Sequence, residues 1–245
     1  MGEVIVDIHN VSMCFNMTTE KISTLKEYLI KRFKRQISYS EFWALNEVSF
    51  SINKGEIFGV LGLNGAGKST LLKVVAGVMK PTIGKVEVRG RMAPLIELGA
   101  GFDAELTARE NIFLNGAVLG YSKKEMKAKF DEIVEFSELE NFIDVPIKNF
   151  SSGMYARLGF AIATATTPDV LIVDEILSVG DFKFQEKCEN KIKSMVANGT
   201  TVILVSHSID QIRNMCSHGV ILEKGRLISC GNIEEICSFY FSKYN

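Results

Sequence analysis

No stretch of the 245 residues reaches the roughly 18 uncharged apolar residues that a membrane-spanning helix needs, so any crossing falls to another protein. Basic excess is missing too. The 28 Lys and Arg against 29 Asp and Glu leave a formal charge of −1, which argues against a dedicated nucleic-acid binder. The five cysteines (Cys14, Cys188, Cys216, Cys230 and Cys237) include no Cys-x-x-Cys pair. Their odd number fits reduced thiols of a cytosolic protein rather than a disulfide frame or a zinc site. Four prolines act as local punctuation, and there is no internal repeat, low-complexity tract or Ser-rich linker. The opening MGEVIVDIHN lacks the basic start and long apolar run of a signal peptide, and Val6 stands where myristoylation needs Ser or Thr. What remains is 47% apolar, enough for a large core in one compact domain over 1–245 with subdomains.

Three apolar β-rich runs stand out: EIFGVL (56–61), DVLIVD (169–174) and TTVILVS (200–206). Each precedes a helical pattern, as expected of a mostly parallel sheet covered on both faces. Ligands gather beyond the carboxyl ends of such strands, and there stand GLNGAGKST, Glu175 and His207. VDIHNVSMCF and WALNEVSFSINKGE suit antiparallel strands, with Lys54-Gly55 turning into the first core strand. Helical periodicity near 107–119, 123–136 and 151–166 marks a helical subdomain of about 103–168, inserted between the first and second core strands.

The string GLNGAGKS (62–69) fits G-x-x-x-x-G-K-[ST] after a strand and before a helix. Gly62, Gly65 and Gly67 let backbone N–H groups surround phosphate oxygens, and the helix start adds a favourable dipole. Asn64, Ala66 and Thr70 complete the loop. Lys68 is expected on the β- and γ-phosphates, and Ser69 on Mg²⁺. Asp174, ending VLIVD, can hold Mg²⁺ through water. Glu175 is placed to polarise a water for in-line attack, and His207, at the same edge, to sense the γ-phosphate. No N-K-x-D base reader follows the loop, which excludes a GTPase.

NFSSGMY (149–155) narrows the class. It resembles the signature motif of ABC-type ATPases, usually Leu-Ser-Gly-Gly-Gln, with Phe150, Ser151, Ser152, Gly153 and Met154 in its five places. The order of phosphate loop, helical block, signature, Asp174-Glu175, the SVGD segment ending at Asp181, and His207 also resembles that family, over nearly the whole chain. The resemblance implies an α/β P-loop fold with a mostly parallel core sheet, an antiparallel β subdomain and a helical subdomain. It also implies ATP and Mg²⁺ as ligands, ATP hydrolysis, and head-to-tail pairing of two copies. Ser151 and Gly153, opening a helix, then form an anion site for the γ-phosphate bound by the other copy. Ser152 and Met154 replace the usual Gly and Gln, and Glu97 is the nearest counterpart of the Gln expected after the strand that follows the phosphate loop. Two readings of Glu97 stand, metal ligand or turn residue. Phe15 is the best-placed adenine-stacking aromatic, with a core phenylalanine as the other reading.

ELGAGFDAELTAREN, NFSSGMYARLGFA and DEILSVGD together resemble the ATPase subunits that export O-antigens, teichoic acids and related cell-surface polysaccharides. That resemblance implies a homodimer working with a transmembrane permease, itself in two copies, at the cytoplasmic face of the membrane, without nucleic acid. Some members add a carbohydrate-binding domain after the ATPase, and none is expected in a chain stopping at Asn245. A helix over about 20–36 is expected, with Ile22, Leu25, Leu29, Ile30, Phe33 and Ile37 falling largely on one face and Lys21, Lys26, Lys31, Arg32, Lys34 and Arg35 on the polar side. Such a basic amphipathic helix suits the membrane surface or an acidic partner, and a packed helix with a solvated face is the alternative. The rival function is a soluble ABC ATPase not coupled to transport. Translation-type members usually carry two phosphate loops and repair-type members a long coiled coil, whereas this chain has one loop and no coiled coil.

Overall fold

The computed structural model describes residues 2–18, 39–95, 101–174, 181–206 and 208–244. The long strands β1 (Val4–Thr18) and β2 (Tyr39–Asn53) pair antiparallel from Val4↔Asn53 to Thr18↔Tyr39. The short strand β4 (Ile83–Val88) adds on the other side of β1. Strand β3 (Ile57–Leu61) leaves this layer through the Lys54-Gly55 turn. Alternation along β1 buries Val6 and Ile8, then Val11 and Met13, so the inward set slips by one residue. Asn10, at φ +48°, absorbs the slip as a bulge. The same slip in β2, between Leu45 and Val48, falls beside Glu47 at φ +54°.

The second sheet runs β5-β6-β7-β3-β8-β9, from β5 (Met92–Leu95), β6 (Val170–Asp174), β7 (Thr201–Val205), β8 (His218–Glu223) and β9 (Arg226–Asn232). All neighbours are parallel except the β8–β9 hairpin. Its central strands are buried on both faces, which is why they read as unbroken apolar runs. Phe58, Val60, Ile172, Ile203 and Val205 point to one core, shared with the antiparallel sheet and helix α1 (Lys68–Val75). The stacked rings of Phe50 and Phe58, 5.4 Å apart, join the two sheets there. Leu61, Leu171, Val173, Val202 and Leu204 point to the opposite core.

Among the described residues between β5 and β6 stand three α-helices: α2 (Ala108–Val118), α3 (Lys123–Ser137) and α4 (Ser152–Ala165). Capping boxes start the first two, Thr107 with Glu110 and Ser122 with Glu125, each satisfying two helix-end donors. Their own core centres on Ile112, Met126, Ile133, Leu158 and Ile162, and each side chain there contributes about 1.5–3 kcal/mol by leaving water. Helix α5 (Phe182–Ala197), with α6 (Ile209–Met215) and α7 (Ile233–Tyr244), covers the remaining sheet face.

Candidate nucleotide site

Strand β3 delivers Gly62 at its carboxyl end, and the loop turns through Gly65 (φ +77°) and Gly67 (φ +102°) into α1. At Gly67 only glycine fits: a Cβ would lie 2.6 Å from the Ala44 carbonyl oxygen, and the backbone is left-handed besides. Gly67 caps α1 without a side-chain hydrogen bond, and a helix start capped in this way suits an anion. Lys68 is buried, and its Nζ donates to the Gly62 carbonyl at 2.6 Å and the Leu63 carbonyl at 3.2 Å. The loop thus holds its ammonium curled against its own backbone. A phosphate would exchange these contacts for stronger charge-assisted bonds.

These residues line an open cavity of about 250 Å³, walled by Asn64, Gly65, Ala66, Gly67, Lys68, Ser69 and Thr70 on one side and Phe42 and Ala44 on the other. Phe42 is 48% exposed. Phe15, its register partner across β1 and β2, is half-buried against the core and is not among the lining residues. The aromatic wall of the cavity therefore comes from β2, a contribution that sequence reasoning missed. The pairing of two strands carrying Phe15 and Phe42 was the available signal. Beneath the loop, Ala66 accepts from the Gly225 amide at 2.9 Å, and Gly225 accepts from the Asn46 amide at 2.8 Å. The β8–β9 turn thereby wedges the phosphate loop against β2.

Asp174 ends β6, half-exposed, separated from β3 by β7 in the same sheet. Ser151 caps α4, its Oγ accepting from the Met154 amide at 3.2 Å, and nothing crowds Gly153 beyond a 3.8 Å approach to Ser151 Oγ. This tip is exposed on its outer side. Asp181 caps α5 through the Phe184 amide at 3.0 Å. That bond leads in holding its carboxyl below the usual range; burial opposes it, and the charge of Arg157 assists. Glu97, Glu175, His207 and the segment 20–36 lie outside the described residues.

A phosphate loop after β3, an acid ending β6 and a serine-capped helix between them occur in one order, and residues 45–178 match the sequence profile described as ABC transporter. The chain belongs to the ABC transporter family. Among curated members, it is 42% identical over 240 residues to the O-antigen export system ATP-binding protein RfbB of Klebsiella pneumoniae, covering 97% of this chain and 98% of that protein. It is 39% identical over 235 residues to the teichoic acids export ATP-binding protein TagH of Bacillus cereus, covering 96% of this chain and 42% of that one. The fold matches a solved ATP-binding subunit of an ABC transporter with a TM-score of 0.77 at 22% identity, covering 98% and 95% of the two chains. It also matches an ATP-binding cassette solved as a dimer with ADP and Pi, with a TM-score of 0.75 at 23% identity and coverage of 94% and 99%. At such identity the two structures speak to the ABC fold alone. The mostly parallel sheet, antiparallel layer and inserted helices expected of an ABC chain are all present.

Proposed function

We propose that this chain is the ATP-hydrolysing subunit of an exporter for a cell-surface polysaccharide, a lipid-linked O-antigen or teichoic acid, acting as a head-to-tail homodimer on a separate transmembrane permease in two copies. The observation that carries the ATPase reading is the glycine-shaped phosphate loop with Lys68 at its centre. The exporter reading is supported by 42% identity to an O-antigen export ATP-binding protein over nearly its full length. No helix among the described residues is long and apolar enough to cross a membrane. In this reading the permease is a separate polypeptide and this chain works from the cytoplasmic face of the membrane.

In this reading the loop amides and Lys68 hold the phosphates, and Ser69 and Asp174 offer the hydroxyl and carboxylate oxygens that suit Mg²⁺, with Glu97 as a further ligand. The ion would neutralise charge on the phosphates. Glu175 takes a proton from the attacking water, and His207 contacts the γ-phosphate. Ser151 and the Gly153 amide complete the site of the facing copy. A charge-assisted hydrogen bond contributes about 1.5–3 kcal/mol and a helix terminus about 0.3–2 kcal/mol, neither available from ADP at that position. Two such sites change the paired population by several orders of magnitude. ATP closes the pair and hydrolysis opens it. The segment 20–36 sits at the membrane surface near the polymer's entrance; deleting it should leave ATPase turnover intact and stop export, and unimpaired export would remove that role.

The decisive experiment compares wild type, Lys68→Ala and Glu175→Gln for ATP binding, turnover and dimer formation. Lys68→Ala should bind ATP weakly; Glu175→Gln should bind normally, turn over poorly and accumulate as a dimer. Wild-type turnover in Glu175→Gln would refute its role as the base. Purification from membranes should bring the permease along, whereas full ATPase activity with no membrane companion would favour a soluble ATPase.

A further inference from the structure

The antiparallel sheet carries a second cavity, of about 300 Å³, walled by Asn10 and Ser12 of β1, Trp43, Asn46 and Glu47 of β2, and Ile83 of β4. Phe42 and Ala44 line the nucleotide cavity, and Trp43 between them points to the other face of the strand. The backbone of this wall is pinned. The Asn10 amide donates to Ser49 Oγ at 2.8 Å, the Glu47 amide to Ser12 Oγ at 2.9 Å, and the Asn46 amide to the Gly225 carbonyl at 2.8 Å. Trp43 Nε1 donates to Glu41 Oε2 at 3.3 Å, which fixes the edge of the indole and leaves the residue 39% exposed. No hydrogen bond or ion pair among the described residues involves the side-chain polar atoms of Asn10, Asn46 or Glu47.

Asn10 (φ +48°) and Glu47 (φ +54°) are both left-handed, each beside an irregularity in the β1–β2 register. Glycine would relieve the backbone at either position. Such bulges re-aim side chains out of the regular alternation, and both of these residues line the same depression.

These groups select a class of ligand. An indole face takes the C–H face of a sugar ring, and each amide or carboxylate offers two hydrogen-bonding atoms in one plane, matched to neighbouring hydroxyls. An anion is disfavoured: among the described lining residues there is no Lys or Arg, and Glu47 repels phosphate. A cation would use Trp43 and Glu47 but leave both amides idle. The volume lies at the lower end of small-molecule sites, room for one ring rather than a nucleotide.

We propose that this depression is a saccharide-binding site, recognising one sugar ring by stacking on Trp43 and by hydrogen bonds to Asn10, Asn46 and Glu47. The site goes beyond the ATPase reading and does not require it. Strand β2 then bears a sugar on one face and the Phe42 wall of the nucleotide cavity on the other.

Trp43 is the only tryptophan of the chain, so its emission reports this pocket directly. The full chain is titrated with glucose, galactose, N-acetylglucosamine and short linear oligosaccharides of each, with glycerol as the baseline and choline as a cationic control. At least one saccharide should give a saturable shift with a Kd on the order of millimolar, the range that ordinary ligand efficiency sets for a molecule of this size. Glu47→Gly, which suits the left-handed backbone and so folds, should raise that Kd about tenfold or more, and Asn10→Gly about two- to tenfold. Lys68→Ala should leave it within about twofold. Tighter binding of an oligosaccharide than of its monomer identifies a unit within a polymer as the ligand, and equal binding a free sugar; either supports the site. No saturable response to any saccharide up to about 100 mM, a response to choline alone, wild-type affinity in both glycine variants, or a response lost in Lys68→Ala would overturn the proposal.

Discussion

Replacing Phe42 with Ala should weaken ATP binding and leave the fold alone, while replacing Phe15 should do the reverse. Phe42 is 48% exposed on the cavity wall, so in the ligand-free protein it contributes little packing. A base stacked on an aromatic ring gains about 1–3 kcal/mol. At about 1.4 kcal/mol per tenfold, its removal corresponds to roughly a 5- to 150-fold rise in Kd. Phe15 packs half-buried against the first core, and full burial of a phenylalanine is worth about 3–5 kcal/mol on truncation, so about half of that is expected. For a chain of this size each kcal/mol moves Tm by roughly 2–4 °C. Titration with a fluorescent ATP analogue and a thermal melt, run on both variants, separate the two roles. Lost affinity with unchanged Tm in Phe15→Ala, together with wild-type binding in Phe42→Ala, would refute this assignment and restore Phe15 as the stacking ring.

Gly225→Ala places a Cβ 2.6 Å from the Ala44 oxygen at φ +77°, and left-handed backbone alone costs about 1–2 kcal/mol. Lower Tm and weaker ATP binding should appear together, and an unchanged titration would show that the turn does not brace the loop. Ser151→Arg should yield a folded monomer that fails to pair on light scattering when ATP is added to the Glu175→Gln background. Burial opposes but does not outweigh Lys187 and Arg157, which hold the Glu138 carboxyl below its ordinary 4.5. Its stabilising contribution is therefore present above pH 4.5 and lost as pH falls through the lower folded value. Denaturant titrations of Glu138→Gln against wild type should show a stability gap that holds at neutral pH and closes on acidification. Burial pushes the Cys188 and Cys216 thiols up to about 12, so iodoacetamide at pH 8 should leave both unmodified in the native protein while the exposed Cys230 reacts, as read by peptide mass spectrometry.

The central strands were legible because burial on both faces leaves no polar alternation to confuse the pattern: EIFGVL, DVLIVD and TTVILVS contain β3, β6 and β7 with at most a residue to spare at either end. The helices α2, α3 and α4 followed from helical periodicity; their caps Thr107 and Ser122 came into view only in the structure. β5 gave little signal. It is a four-residue edge strand, MAPL, that tolerates Pro94 because an edge need not donate on both sides. Phe42 was missed for a different reason. It stands opposite the 64–70 loop, distant along the chain, and no local period encodes such a meeting.

Helix α4 gives Phe160 and Ala163 to the sheet-side core and Leu158, Ala161 and Ile162 to the helical one. At about 100° of turn per residue, both grips act on one stiff bar. Force applied to α2 or α3 from outside consequently arrives at Ser151 as leverage through that bar, with no slack loop in between to absorb the stroke.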